Sequence, residues 1–338
     1  MTAPLLAAAG LSVDMPTPAG RVRIVDDIDF SIGVGERVAL VGESGSGKSV
    51  TAQALMRLNR KAIVSGRIAF DGRDLVTLSE REMTALRGSA LGMVFQDPMS
   101  SLDPLMTIGD QVAEVLRIRG VSARDARARA LAVLDELRVE RARERLDAYP
   151  HEFSGGMRQR VVLAMALVGE PRLVIADEPT TALDVRVQEQ VLDLLDEVSA
   201  ARGLSVLLIT HDLGIVAGFA DRVMVMYSGR IVEDADVGQV FARPRHPYTA
   251  GLIAAVPRID RTLDRLAAVP GAPPPPRARP TGCAFHPRCA ERLERCDRNR
   301  PEVVPLGAGR VACHKATAAP IEPAAPAGAR AARGEGAR

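Results

Sequence analysis

Three features of the sequence predict an α/β fold built on a mainly parallel sheet. Short apolar strands alternate with helical segments before residue 60 and again over residues 161–232. A glycine-rich turn spans residues 42–49, between one such strand and one such helix. A further apolar strand, 173–176, runs directly into the carboxylate pair Asp177 and Glu178. The chain has 338 residues, which at about 150 per domain favours two domains.

The elements follow in chain order. Residues 1–42 read as strands and turns, with mixed or alternating apolar patterns at 22–25 and 28–32. Arg37–Val41 is a short strand, and residues 48–58 form the helix after the glycine-rich turn. Residues 68–70 with the Asp71-Gly72 turn, and residues 91–95, read as further strands. The region 97–160 differs: 107–119 and 123–137 combine helical spacing with many charges, which marks an inserted helical subdomain. Strand and helix alternation resumes with 173–176, 187–201, Ser205–Thr210 and Arg222–Tyr227. Pro273 to Pro276 mark a linker or irregular loop within 259–282. Residues 318–338, rich in Ala, Pro, Gly and Arg, are expected to be disordered.

Composition narrows the functional classes. The net charge is +2, which gives no reason to expect general nucleic-acid binding. With no Trp, 3 Tyr and 7 Phe, a base-stacking single-strand binder is disfavoured. No apolar run reaches the eighteen or so residues of a membrane helix, and the short run at 5–9 lacks a basic leader. A cytoplasmic chain is expected. Its lysines are Lys48, Lys61 and Lys315.

Gly42, Glu43, Ser44, Gly45, Ser46, Gly47, Lys48 and Ser49 fit G-x-x-x-x-G-K-S, with Val50 next in the helix. The glycines let backbone N–H groups curl around phosphates, and the helix start adds its positive end. Lys48 supplies a mobile cation for the β- and γ-phosphates. The Ser49 hydroxyl suits Mg²⁺, and so does Asp177 at the end of its strand. Glu178 is placed to polarise an attacking water. His211, after Ser205–Thr210, is a candidate for the γ-phosphate, and Gln96, after 91–95, for Mg²⁺ or water. These positions lie at the carboxyl ends of strands, where parallel α/β sheets bind ligands. Ser154, Gly155, Gly156, Met157, Arg158, Gln159 and Arg160 form a second glycine-rich helix start. One nucleotide has one γ-phosphate, so the economical arrangement is a head-to-tail dimer in which this loop closes on the partner's nucleotide.

These residues resemble the ATP-binding subunits of ABC transporters. Gly42 to Ser49 resemble the Walker A motif, Gln96 the Q-loop, Ser154 to Gln159 the signature and 173–178 Walker B. Ala182, Leu183 and Asp184 resemble the D-loop, and His211 the switch histidine. Residues 95–104, and Arg245-His246-Pro247-Tyr248-Thr249 followed by Leu252 and Val256-Pro257, resemble the oligopeptide/dipeptide importers. The form of the two glycine-rich loops resembles their D-type subunit.

The resemblance implies a P-loop NTPase cassette over 1–258. Its core is a parallel sheet with an antiparallel β part and the helical subdomain at 97–160. A small C-terminal extension covers 259–317. It further implies two ATPs sandwiched between two cassettes, the second an F-type paralogue. Two membrane permease subunits would be contacted near 96–110, and an extracytoplasmic substrate-binding protein would select the solute. Glu178 would be the general base, His211 would steady the γ-phosphate, and Asp184 would join the nucleotide-binding set. The place implied is the cytoplasmic face of the inner or plasma membrane. The family's aromatic platform for adenine is missing, since residues 1–29 contain no aromatic. Val22, Arg23 or Ile24 is left to pack on the base.

Cys283, Cys289, Cys296 and Cys313 are spaced C-x5-C-x6-C-x16-C, without the C-x2-C pair of common zinc sites. Four thiolates are the usual complement of a 4Fe–4S cluster, and the segment resembles the importers' cysteine motif, which holds such a cluster in some members. Zinc, a disulfide or no metal are the alternatives, and His286 and His314 are substitute ligands, groups that hydrogen-bond to the ligands, or, as the favoured reading, bystanders. Residues 277–300 carry seven Arg against Glu291, Glu294 and Asp297. This favours a solvated basic face, or one turned to membrane subunits or anionic lipid, over a nucleic-acid module. Nickel or another small solute remains an alternative cargo. A non-transport ABC ATPase and a non-enzymatic regulatory cassette are further alternatives.

Overall fold

The computed structural model describes residues 3–181, 183–256 and 269–316. The tail at 318–338, Ala182 of the D-loop stretch, Pro257 and the first part of the linker lie outside them. The chain begins with the antiparallel hairpin β1 (Leu6–Thr17) and β2 (Gly20–Ile32). β3 (Arg37–Val41) leads through the glycine-rich turn into α1 (Lys48–Leu55). β4 (Ile63–Phe70) and the short β5 (Arg73–Asp74) complete a four-stranded sheet of order β2-β1-β4-β5. α2 (Glu80–Leu86) then opens on a capping box made by Ser79 and Glu82.

After β6 (Leu91–Val94) the helical insertion runs through α3 (Pro98–Ser101), α4 (Ile108–Arg117), α5 (Ala123–Glu136) and α6 (Ala142–Arg145). Thr107 caps α4 and Ser122 caps α5 through their side-chain oxygens. Ala126, Ala130, Val133 and Leu134 line the buried stripe of α5 at helical spacing. α7 (Gly155–Leu167) returns to the core, followed by β7 (Leu173–Asp177), α8 (Val185–Arg202), β8 (Ser205–Thr210), α9 (Leu213–Phe219) and β9 (Arg222–Tyr227). β10 (Arg230–Asp236), α10 (Val237–Ala242) and α11 (Pro247–Ala254) follow. The last strands are β11 (Val304–Leu306) and β12 (Gly309–Val311).

The second sheet has the order β11-β12-β10-β9-β3-β8-β7-β6. Its β9-β3-β8-β7-β6 part is parallel, and β10, β12 and β11 add antiparallel strands at one edge. The period of two explains its unbroken apolar runs. Leu173, Ile175, Leu207, Ile209, Met224 and Met226 pack with the antiparallel sheet and α1. Val174, Ala176, Val206, Leu208, Val223 and Val225 face the other way, into the core shared with the helical insertion. The C-terminal segment is joined to this body by backbone pairing, because β12 hydrogen-bonds to β10.

Three local readings change. The first helix ends at Leu55 rather than 58. Arg57 takes a left-handed φ of 50°, and its guanidinium donates to Leu75 O at 2.9 Å. The strand read at 68–70 begins at Ile63. β10 and the β11–β12 hairpin were not foreseen.

Candidate functional site

The glycine-rich turn is shaped by contacts only glycine permits. Gly42 has φ 155°, and a Cβ there would stand 2.1 Å from Met226 O. Gly47, with φ 111°, starts α1 without a side-chain cap, so the helix N-terminus points its free N–H groups into the turn. Lys48 is buried, and its Nζ donates to Gly42 O at 2.7 Å and Glu43 O at 3.2 Å. Burial lowers its pKa, opposed in order by the charges of Glu178, Asp177 and Glu43.

Ser49 Oγ donates to Asp177 Oδ1 at 3.0 Å. Burial raises the Asp177 pKa, the Ser49 bond opposes this, and Glu178 adds to it. Glu178 sits at the turn after β7 with a left-handed φ of 48°, an unusual conformation for a non-glycine residue. Its N–H donates to Ile209 O at 2.8 Å. Its Oε2 accepts Gln96 Nε2 at 3.0 Å and Thr181 Oγ1 at 3.0 Å, with His211 Nδ1 at 3.5 Å. Residues from three separate loops, those after β6, β7 and β8, thus meet at one carboxylate. Thr181 was missed from sequence, where a threonine after Pro179 and Thr180 carries no special signal.

The second glycine-rich turn adjoins the start of α8. Ser154 caps α7 by accepting Met157 N–H at 3.4 Å, and Asp184 caps α8 by accepting Val187 N–H at 3.0 Å. A Cβ on Gly156 would meet Val187 Cγ1 at 2.6 Å, and one on Gly155 would lie 3.6 Å from Leu183 Cδ2. Gln159 is 1% exposed. Both polar atoms of its side chain lack a partner, so it faces the interior of the cassette rather than an open surface. Of the residues named for adenine, Val22 is buried, and Arg23 is paired with Asp14 at 2.9 Å. Ile24 O accepts Arg279 Nη2 at 3.3 Å.

The four cysteines gather in the C-terminal segment as free thiols. Gly282, with φ 69°, allows Cys283 N–H to reach Cys296 O at 2.8 Å, where a Cβ would collide. Cys296 Sγ accepts Leu293 N–H at 3.4 Å. Burial raises the pKa of Cys283 and Cys313, and raises Cys289 to about 11, while backbone N–H groups partly oppose it. The other cysteine sulfurs contribute further upward shifts at each of the three. His286 Nδ1 lies 2.9 Å from Cys283 O, and His314 Nε2 lies 2.8 Å from Asn299 O, so each ring faces a carbonyl. Among the described residues no group of three or more His, Cys, Asp or Glu is disposed to hold a metal ion. The 4Fe–4S expectation therefore finds no preformed ligand set among the described residues.

The comparisons agree with this geometry. Residues 25–181 match the ABC transporter family, and residues 232–296 match the family described as oligopeptide/dipeptide transporter, C-terminal region. The chain is 47% identical to the oligopeptide transport ATP-binding protein OppD of Salmonella typhimurium, over 92% of this chain and 93% of that one. It is 48% identical to OppD of Haemophilus influenzae, over 87% and 91% respectively. The dimeric post-hydrolysis structure of the ATP-binding cassette MJ0796 with ADP and phosphate superposes with a TM-score of 0.62 at 27% identity. It covers 69% of this chain and 98% of that cassette. The chain belongs to the ATP-binding subunits of ABC transporters, in their oligopeptide/dipeptide transporter branch.

Proposed function

We infer that this chain is the ATP-hydrolysing subunit that energises an importer of di- or oligopeptides. The observation that carries the reading is the convergence of Gln96, Thr181 and His211 on Glu178, beside the Lys48 loop. Glu178 takes the role of general base, held by Thr181 and Gln96 so that its second oxygen stays free to take a proton from water. His211 steadies the γ-phosphate. Lys48 leaves two carbonyls for the β- and γ-phosphates, and the N–H groups of the glycine turn and α1 receive the rest of the charge. Ser49, Asp177 and Gln96 offer the hard oxygen donors suited to Mg²⁺, and the 3.0 Å approach of Ser49 to Asp177 supports that set. Bound Mg²⁺ would neutralise charge on the phosphates.

The cassette is taken as 1–258 with its helical subdomain at 97–160, and the extension as 259–317. Two cassettes close head to tail, each Ser154 turn meeting the partner's nucleotide, with an F-type paralogue as partner. Val185, 80% exposed beside Asp184, supports a contact on this face. Leu105, 85% exposed within 96–110, supports docking on two permease subunits. The chain then lies on the cytoplasmic face of the membrane, fed by an extracytoplasmic binding protein. Cys283, Cys289, Cys296 and Cys313 are read as 4Fe–4S ligands, on their resemblance to the importers' cysteine motif and because each sulfur receives a backbone N–H group.

The test is the assembled transporter in proteoliposomes, with ATP hydrolysis measured against binding protein loaded with peptide or with nickel. Stimulation by the peptide-loaded form supports the reading. Stimulation by the nickel-loaded form alone moves it to a small-solute importer. For the cysteines, anaerobic purification with iron, sulfide and zinc analysis should give about four irons per chain. Zinc, or no metal, rejects the cluster.

A further inference from the structure

The phosphate-loop pattern leaves position 43 open to any residue, yet here Glu43 is held from three directions. Its N–H donates to Tyr248 Oη on α11 at 2.8 Å. Its carbonyl accepts Lys48 Nζ at 3.2 Å. Its carboxylate is gripped by both arms of Arg288, Nη1 to Oε2 at 2.6 Å and Nη2 to Oε1 at 2.9 Å. Such a two-pronged pair fixes direction as well as distance.

Arg288 belongs to the cysteine-bearing extension, in the turn His286–Arg288 between Cys283 and Cys289. It is 9% exposed. Its Nε donates to Pro270 O at 2.7 Å, Nη2 to Val269 O at 3.2 Å and Nη1 to Tyr227 Oη at 3.4 Å. The guanidinium lies 5.7 Å from the Tyr227 ring centre and 5.9 Å from that of Phe285. Tyr227, Tyr248 and Phe285 pack on one another at 4.6 to 5.4 Å between centres. The arginine is thus locked before it reaches the loop.

We propose that Arg288 is a positioning residue for ATP binding. It cancels the Glu43 carboxylate charge that would otherwise oppose the incoming phosphates, and its two-pronged grip keeps that carboxylate fixed on the arginine. The extension thereby sets the affinity of the cassette for ATP. The charge of Glu43 reaches Lys48, so an unpaired Glu43 would hold the lysine back from the nucleotide as well. The inference rests on the phosphate-loop reading of these residues.

The test is a double-mutant cycle on the full-length chain, read as equilibrium affinity for ATP and as KM and kcat. Arg288→Gln should weaken ATP binding about tenfold, with kcat at saturating ATP within about twofold. The double variant Arg288→Gln/Glu43→Gln removes the stranded charge together with its partner, and should recover most of the loss. Equal losses in the single and the double variant would overturn the proposal, because a merely structural arginine is not rescued by neutralising Glu43. Should Arg288→Gln fail to fold, Arg288→Lys keeps the charge and loses the fork. It should raise the dissociation constant about threefold, and no change would overturn the proposal. Lys48→Ala separates the two readings. If it weakens ATP binding and Arg288→Gln does not, the proposal alone fails. If it leaves affinity unchanged, the phosphate-loop reading fails first.

Discussion

Lys48 and Arg288 are both buried cations that reach Glu43, and they are satisfied in opposite ways. Lys48 donates to two carbonyls, Gly42 O and Glu43 O, and burial pulls its pKa down. Arg288 holds a carboxylate with both arms, and that bond keeps its pKa above the ordinary value. An incompletely matched cation is expensive in the resting protein and gains when an anion arrives. A fully matched one contributes shape. The same division separates two regions. Around Lys48, burial raises Asp177, and Glu178 sits in a strained backbone conformation. Where the extension meets the cassette, Arg279 and Arg230 both pair with Asp26, and Asp234 pairs with Arg222 and Arg310.

Substitutions should obey that division. Glu178→Gln keeps the shape and removes the base, so steady-state ATP hydrolysis should fall about 10²–10⁴-fold while ATP-bound dimers accumulate in sedimentation. Normal turnover would remove Glu178 from the role. On the matched side the effect should be on stability. His246, 1% exposed, caps α11 by accepting Tyr248 N–H on Nδ1 at 3.1 Å, beside Glu233. Burial lowers its pKa to about 3. The unfolded chain, near 6.5, takes up the proton first as pH falls. The contribution is therefore complete above about pH 6.5 and is lost progressively toward pH 3, amounting to about 2 kcal/mol at pH 5. His246→Asn keeps an acceptor and should flatten the wild type's extra loss in urea midpoint between pH 7.5 and pH 5. A parallel loss in both proteins would contradict the assignment. Smallest is Asp184→Ala, which removes the α8 cap and should lower stability by about 1 kcal/mol, read from the same denaturation curves.

What could be read in the sequence follows the distance over which each feature is written. The Gly42–Ser49 turn, the carboxylate pair and the Ser154 turn are contiguous, and each lies between elements whose apolar pattern is clear. Their meeting at Glu178 follows from strand order, so Gln96 and His211 were legible once a parallel sheet was inferred. β10 was not, because its buried faces include Glu233 and Asp234, at 2% and 4% exposure. Their partners are Arg222, Arg310 and the backbone N–H groups of Arg245 and His246. Charge hid a core strand. β11 and β12 are three residues each, too short to establish a period. The Arg288–Glu43 pair joins positions 245 residues apart, and neither residue belongs to a chemical pattern that would announce the other.

The most direct test of the unmatched-cation account is a pair of melting curves, wild type and Lys48→Ala, each with and without ATP. Removing a cation that the resting fold only partly satisfies should leave the melting temperature without nucleotide equal or higher. The upward shift on adding ATP, which reports binding to the folded state, should be present in the wild type and lost in the variant. A variant that melts well below the wild type without nucleotide, yet keeps the full ATP shift, would contradict the account and make Lys48 a structural residue.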